Sequence, residues 1–119
     1  GVPVKDGEQL RDFVYVKDVV KVNLWFWQHK GPSGIYNCGP GHAHSYNEVA
    51  KAVIKAMGQG EIAYRDFPEV LKGKYQNYTE ADLTHLLEAG YDQGFTDMEQ
   101  AVKEYVDFLD QGGYFVYGK

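Results

Sequence analysis

Arg11-Asp12-Phe13-Val14-Tyr15-Val16, followed by Asp18 and an apolar run to Trp27, is the stretch on which the fold turns. Phe13 to Val16 is β-branched and aromatic, which predicts a short buried strand. Asp18 is placed to cap a helix in which Val20, Leu24 and Trp27 recur at helical spacing. Val19, Val22, Trp25 and Phe26 fill the other sides, so this helix is predicted to be buried on more than one face. A strand that runs straight into such a helix reads as the middle of a larger assembly. It also fixes Arg11 at the strand's entrance, where a guanidinium suits a two-point contact with phosphate. An ion pair from Arg11 to Asp12 or Asp18 is the competing reading. Little chain precedes Arg11, so whatever it serves is expected to be built mainly by sequence outside this chain.

Working outward, Gly1 to Leu10 is polar, with Pro3 and two glycines, and is predicted to be loop. Gly31-Pro32-Ser33-Gly34 ends the helix. Ile35-Tyr36-Asn37-Cys38 is predicted as a second strand and Gly39-Pro40-Gly41 as a tight turn. Ser45-Tyr46-Asn47-Glu48 has the capping-box pattern, with the serine accepting from a free amide and the glutamate reaching back. Tyr46, Val49, Ala50, Val53, Ile54 and Met57 then form one apolar stripe, stopped by Gly58. Glu61 to Phe67, carrying Ile62 and Tyr64, predicts a third strand leading into Pro68. Thr79-Glu80-Ala81-Asp82 resembles another cap, ahead of a short helix with Leu83, Leu86 and Leu87. Thr96-Asp97-Met98-Glu99 is a further capping box, before Ala101, Val102, Tyr105, Phe108 and Leu109 on one face. Strand, helix, strand, helix, strand, helix, helix predicts α/β architecture, with parallel strands alternating with helices. The aromatic tail, 112–119, is compatible with a docking segment, a disordered end or added sequence.

Composition bounds the function classes. The 119 residues suit one compact domain, 1–119, and 44% hydrophobic with 24% charged residues is ordinary globular usage. A net charge of -5 argues against a nucleic-acid groove or an anionic membrane surface as partner. Cys38 is the single cysteine, which excludes an internal disulfide framework and fits a reducing, cytoplasmic compartment. No apolar run reaches the roughly 20 residues needed to span a bilayer. No signal peptide is visible. A start at Gly1 rather than methionine suggests a processed or excised chain.

Several patterns invite chemistry and are outweighed by simpler readings. Gly113 to Lys119 imitates the beginning of a phosphate-binding loop, but no Ser or Thr and no helix follows. Cys38, His42 and His44 lie close together, yet a structural zinc site takes four ligands and no second pair is evident, so no metal is expected. Nothing marks Cys38 as an activated nucleophile. Asp66 with Glu69, and Glu80 with Asp82, read as turn and cap residues. Lys72-Gly73-Lys74-Tyr75 is stronger: two cations and an aromatic on a glycine-bearing loop suit a nucleotide, with phosphate on Lys72 or Lys74 and the base on Tyr75. An ordinary solvated loop is the alternative.

Arg11 to Val19 and Val22-Asn23-Leu24-Trp25-Phe26 resemble the later part of the extended short-chain dehydrogenase/reductases, the nucleotide-sugar epimerases and dehydratases. Gly34-Ile35-Tyr36-Asn37-Cys38-Gly39 resembles the strand that ends in their Tyr-Asn-x-Gly pattern. Phe67-Pro68, Leu71-Lys72-Gly73-Lys74-Tyr75-Gln76 and Thr79-Glu80-Ala81-Asp82-Leu83 are similar to the branch that acts on an ADP-heptose. The likeness runs from about Leu10 to Leu109. It implies the C-terminal, substrate-binding portion of an extended Rossmann-type enzyme. Such an enzyme inverts C6 of the ADP-heptose by oxidation and re-reduction, for lipopolysaccharide core synthesis. It implies NADP held by an N-terminal Rossmann domain, an ADP-sugar substrate and a homo-oligomer. By position, Arg11 and Tyr75 would contact substrate, with Lys72 and Lys74 as weaker candidates. Pro3 to Gln9 does not match the family's substrate loop.

The sequence lacks the Gly-x-x-Gly-x-x-Gly fingerprint, and no tyrosine has a lysine four positions on. No catalytic or cofactor-binding residue is therefore expected in this chain, and alone it is expected to be inactive. A non-catalytic nucleotide-binding module and an α/β interaction module are the readings from other classes. The apolar first helix predicts exposed patches and self-association when the chain is isolated.

Overall fold

Residues 5–66, 68 and 76–112 are described by a computed structural model. In chain order their elements are β1 (Leu10–Arg11), α1 (Val16–His29), β2 (His44–Ser45), α2 (Tyr46–Met57), α3 (Thr84–Glu88) and α4 (Met98–Asp110). The architecture is α/β, with helices around a small sheet.

The helices follow from local signals. α2 starts at the expected capping box: Glu48 N–H donates to Ser45 Oγ at 3.1 Å, and Ser45 N–H donates to Glu48 Oε1 at 3.2 Å. These bonds satisfy amides that helix geometry leaves open. Gly58 closes α2 in the left-handed conformation, donating to Ile54 O at 2.8 Å. α1 ends at Lys30, itself left-handed with φ of 49°, just before the expected Gly31.

Two expected caps are replaced by one long-range tie. Asp18 does not cap α1; Tyr15 holds that position. Asp18 lies in the first turn, 4% exposed, and accepts from Thr96 N–H and Thr96 Oγ1, both at 2.8 Å. The Thr96 hydroxyl is thereby committed, and α4 begins at Met98 behind Asp97, which makes no side-chain cap bond. Similarly, α3 begins at Thr84, whose N–H and hydroxyl donate to Asp82 Oδ1, three residues inside the stretch led by Thr79.

The strands depart furthest from expectation. Phe13 to Val16 is not a strand: β1 lies earlier, at Leu10–Arg11, and Val16 is already helical. Ile35 to Cys38 and Glu61 to Asp66 are not in strands, and Phe67 lies outside the described residues. β1 and β2 pair antiparallel, not parallel, with Leu10 opposite Ser45 and Arg11 opposite His44. The one parallel contact among the described residues is an isolated bridge from Leu10 to Tyr78. β propensity reports fitness for a pleated, half-buried surface, whereas a ladder also needs a partner for each backbone group. Ile35, at 92% exposed, has no such surface among the described residues.

The core gathers Val22 and Trp25 of α1 with Leu86 and Tyr91, and Phe26, Tyr36, Cys38, Leu83 and Phe95 pack against it. The Trp25 and Tyr91 rings meet edge to face at 5.7 Å. A second layer forms where α2 packs on α4, burying Ala52 and Val106. The opposite side of α1 is uncovered: Val16, Val20, Leu24 and Trp27 make one exposed stripe, with Trp27 78% exposed.

Gly7 joins the N-terminal segment to α2. Its φ is +74°, and a Cβ there would lie 2.1 Å from Asn47 Oδ1. Asn47 cannot withdraw cheaply, because its amide donates to Asp6 O at 3.0 Å and its oxygen accepts from the Tyr64 hydroxyl at 2.7 Å. Gly7→Ala is therefore expected to cost about 2–3 kcal/mol, combining backbone strain with overpacking. Chemical denaturation of the whole protein measures it, and a loss below about 0.5 kcal/mol contradicts this account.

Candidate functional site

The β1–β2 register decides which side chains share a face. Side chains alternate across a ribbon, so Arg11 and Phe13 fall on one side with His42, His44 and Tyr46. Their contacts agree. The Arg11 guanidinium lies 6.0 Å above the Tyr46 ring, and Phe13 meets the same ring edge-on at 5.5 Å. The His42 and His44 rings are 4.7 Å apart. Phe13, His42 and His44 also form part of the wall of a cavity of about 480 Å³, which Leu83, Tyr91 and Asp97 line as well. Arg11 stands on the ribbon outside that wall.

Asp12 faces the other way and holds the ribbon in place. Its Oδ2 accepts from Gly41 N–H at 2.8 Å and from Ala81 N–H at 3.0 Å, while Oδ1 faces His42 N–H at 3.5 Å. A Cβ on Gly39 would sit 3.0 Å from Asp12 Oδ2, so glycine allows the turn this close approach. Asp12 and Asp18 are thus engaged by amides and Thr96.

Arg11 Nη1 donates to Leu10 O at 2.8 Å, and Nη2 donates to Gln76 O. These bonds orient the guanidinium and place it beside the residue that follows Tyr75. Tyr75, Lys72 and Lys74 themselves lie outside the described residues. A guanidinium oriented by carbonyls over the Tyr46 ring is equipped to bind an anion, phosphate above all.

His44 and Glu48 add a feature that the linear sequence does not display. His44 Nδ1–H donates to Glu48 Oε2 at 2.7 Å. That bond first, and then the Ser45 amide, holds the Glu48 carboxyl below its usual range. Sequence reasoning placed Glu48 in a cap and His44 on a loop surface. The usable signal is the alternation of His42, His44 and Tyr46 around the capping serine. Cys38 packs against the core, where burial pushes its thiol pKa up, as suits a packing residue.

Residues 2–39 match the NAD dependent epimerase/dehydratase family. Over 102 residues the chain is 55% identical to an ADP-L-glycero-D-manno-heptose-6-epimerase of Alkalilimnicola ehrlichii. That alignment takes in 86% of this chain and 32% of the relative, so the chain spans about a third of the length of the curated relative it matches. Among solved structures it is similar to a UDP-glucose 4-epimerase of Thermotoga maritima with UDP-glucose, at a TM-score of 0.75 and 26% identity, covering 91% of this chain and 34% of that one. It shares its fold with the Bordetella bronchiseptica enzyme WbmH in complex with NAD+, at a TM-score of 0.73 and 21% identity, covering 92% of this chain and 36% of that one.

Proposed function

Because this chain belongs to the NAD dependent epimerase/dehydratase family, we propose that it is the C-terminal, substrate-binding domain, 1–119, of a nucleotide-sugar epimerase. The reaction is inversion of C6 of ADP-D-glycero-D-manno-heptose to the L-glycero epimer. The observation that carries the choice of sugar is the 55% identity to the heptose epimerase. Arg11 supplies the chemistry for the pyrophosphate: a guanidinium fixed by backbone carbonyls beside the Tyr46 ring. Tyr75 stacks on or bonds to the substrate, with Lys72 and Lys74 nearby in sequence as further cations.

The described residues do not fit a nicotinamide dinucleotide. No glycine fingerprint opens a helix here, and α1 starts at Val16 behind Tyr15, without a loop that admits a pyrophosphate. We assign the cofactor, a nicotinamide dinucleotide and specifically NADP, to a Rossmann domain contributed by the rest of the protein. No redox step is assigned to the residues described above. What they do is bind the nucleotide, orient the sugar and exclude water from one side of it. The exposed stripe of α1 suits cover by that domain. The product serves lipopolysaccharide core assembly in the cytoplasm, and the enzyme acts as a homo-oligomer.

The test is conversion of ADP-D-glycero-D-manno-heptose by the whole protein, read as appearance of the C6 epimer by NMR. Turnover with that substrate, and none by the isolated 119-residue chain, is the expected outcome. Absence of turnover by the NADP-loaded whole protein, or epimerisation by the isolated chain, contradicts the assignment.

A further inference from the structure

We propose that His44, with His42 beside it, is a second and pH-dependent contact for the anionic ligand, set across the ribbon from Arg11. This rests on the reading of the chain as an ADP-sugar-binding domain, and adds to it a named residue and a pH response.

The register puts His44 directly opposite Arg11. Side chains directly opposite on one face of an antiparallel pair have Cβ atoms about 5 Å apart, within the span of one pyrophosphate. Both imidazoles reach the cavity wall at the point where the ribbon meets it. The His44–Glu48 bond sets the chemistry. With Nδ1–H committed to Glu48, Nε2 is the nitrogen that takes up or loses a proton. Unprotonated, Nε2 is an acceptor and has nothing to offer a phosphate oxygen. Protonated, it becomes a cationic donor while Nδ1 stays anchored. Imidazole is the side chain whose charge changes between about pH 5 and pH 8.

The surrounding charges are mixed. Glu48 faces His44 from α2, Glu80 accepts from the neighbouring Ala43 N–H at 2.9 Å, and Asp92 and Asp97 share the cavity wall. Arg11 is the facing cation on β1. A bound pyrophosphate adds two negative charges to this mixture, and a cationic donor at Nε2 answers them across the ribbon from Arg11.

ADP-glucose is a suitable probe, because its pyrophosphate diester keeps its charge across this range. Calorimetry on the whole protein is expected to show binding about fivefold tighter at about pH 6 than at about pH 8. His44→Gln should reduce that ratio to below about twofold. Glu48→Gln keeps the reach-back bond of the capping box but removes the carboxylate from His44, so it should change the ratio by about twofold or more. An unaltered ratio in His44→Gln, or a wild-type ratio near one, overturns the proposal. If His44→Gln fails to fold, the Glu48→Gln ratio decides alone. Arg11→Ala separates this from the underlying reading. Weakened binding in Arg11→Ala with an unaltered ratio in the histidine variant removes only the role of His44. Unweakened binding in Arg11→Ala removes the ligand assignment, and the role of His44 with it.

Discussion

Arg11→Ala in the whole protein is expected to weaken ADP-sugar binding by about a hundredfold. The size follows from losing two charge-assisted hydrogen bonds to a pyrophosphate, at about 1.5 kcal/mol each. Arg11→Lys keeps the charge but loses the planar fork, and should recover about a tenth of wild-type affinity. Because Arg11 also bonds Leu10 O and Gln76 O, part of the alanine effect passes through the chain leading to Tyr75. Thermal unfolding of each variant separates lost binding from lost structure. Affinity changed less than about twofold in a folded Arg11→Ala protein sinks the assignment of this arginine to the ligand.

The second large effect is on stability. Asp12→Ala is expected to cost about 3 kcal/mol, because half-buried amides at Gly41 and Ala81 lose a charged acceptor together. Asp12→Asn retains one acceptor oxygen and should cost less, about 1–2 kcal/mol. Denaturant unfolding of the whole protein measures both. Equal stability of wild type and Asp12→Ala would show that water replaces the carboxylate without loss. Ligand affinity should fall with Asp12→Ala as well, since the turn at 39–42 and the ribbon bearing Arg11 share this anchor.

The legible part of this fold is the part determined by nearby residues. The capping box of α2 was readable because both halves of it lie within four positions. The courses of α1, α2 and α4 were readable from apolar spacing, since a helix satisfies its own backbone. Strands were not, because each needs a partner that local sequence does not name. Phe13 to Val16 and Ile35 to Cys38 have the composition of strands, and the described residues give them no ladder. Thr96 was a sound cap by pattern, yet Asp18, far away in sequence, claims its hydroxyl. The candidate site divides in the same way. Arg11 was visible through its motif and its place at the entrance to Phe13. His44 and Tyr46 became neighbours of Arg11 only through the register of β1 on β2. Tyr75, Lys72 and Lys74 were named from sequence and lie outside the described residues.

The tie between Asp18 and Thr96 also bears on how the polypeptide is made. A ribosome releases Asp18 long before Thr96, so the nascent helix emerges with an acid that has no donor to receive it. Burying that acid early is costly, and the Trp25 cluster also awaits Leu86 and Tyr91. Docking of α1 is thus deferred until Thr96 has left the exit tunnel. Until then its apolar side is a natural client for trigger-factor-like chaperones, and stalled translation before Thr96 should yield a protease-sensitive species.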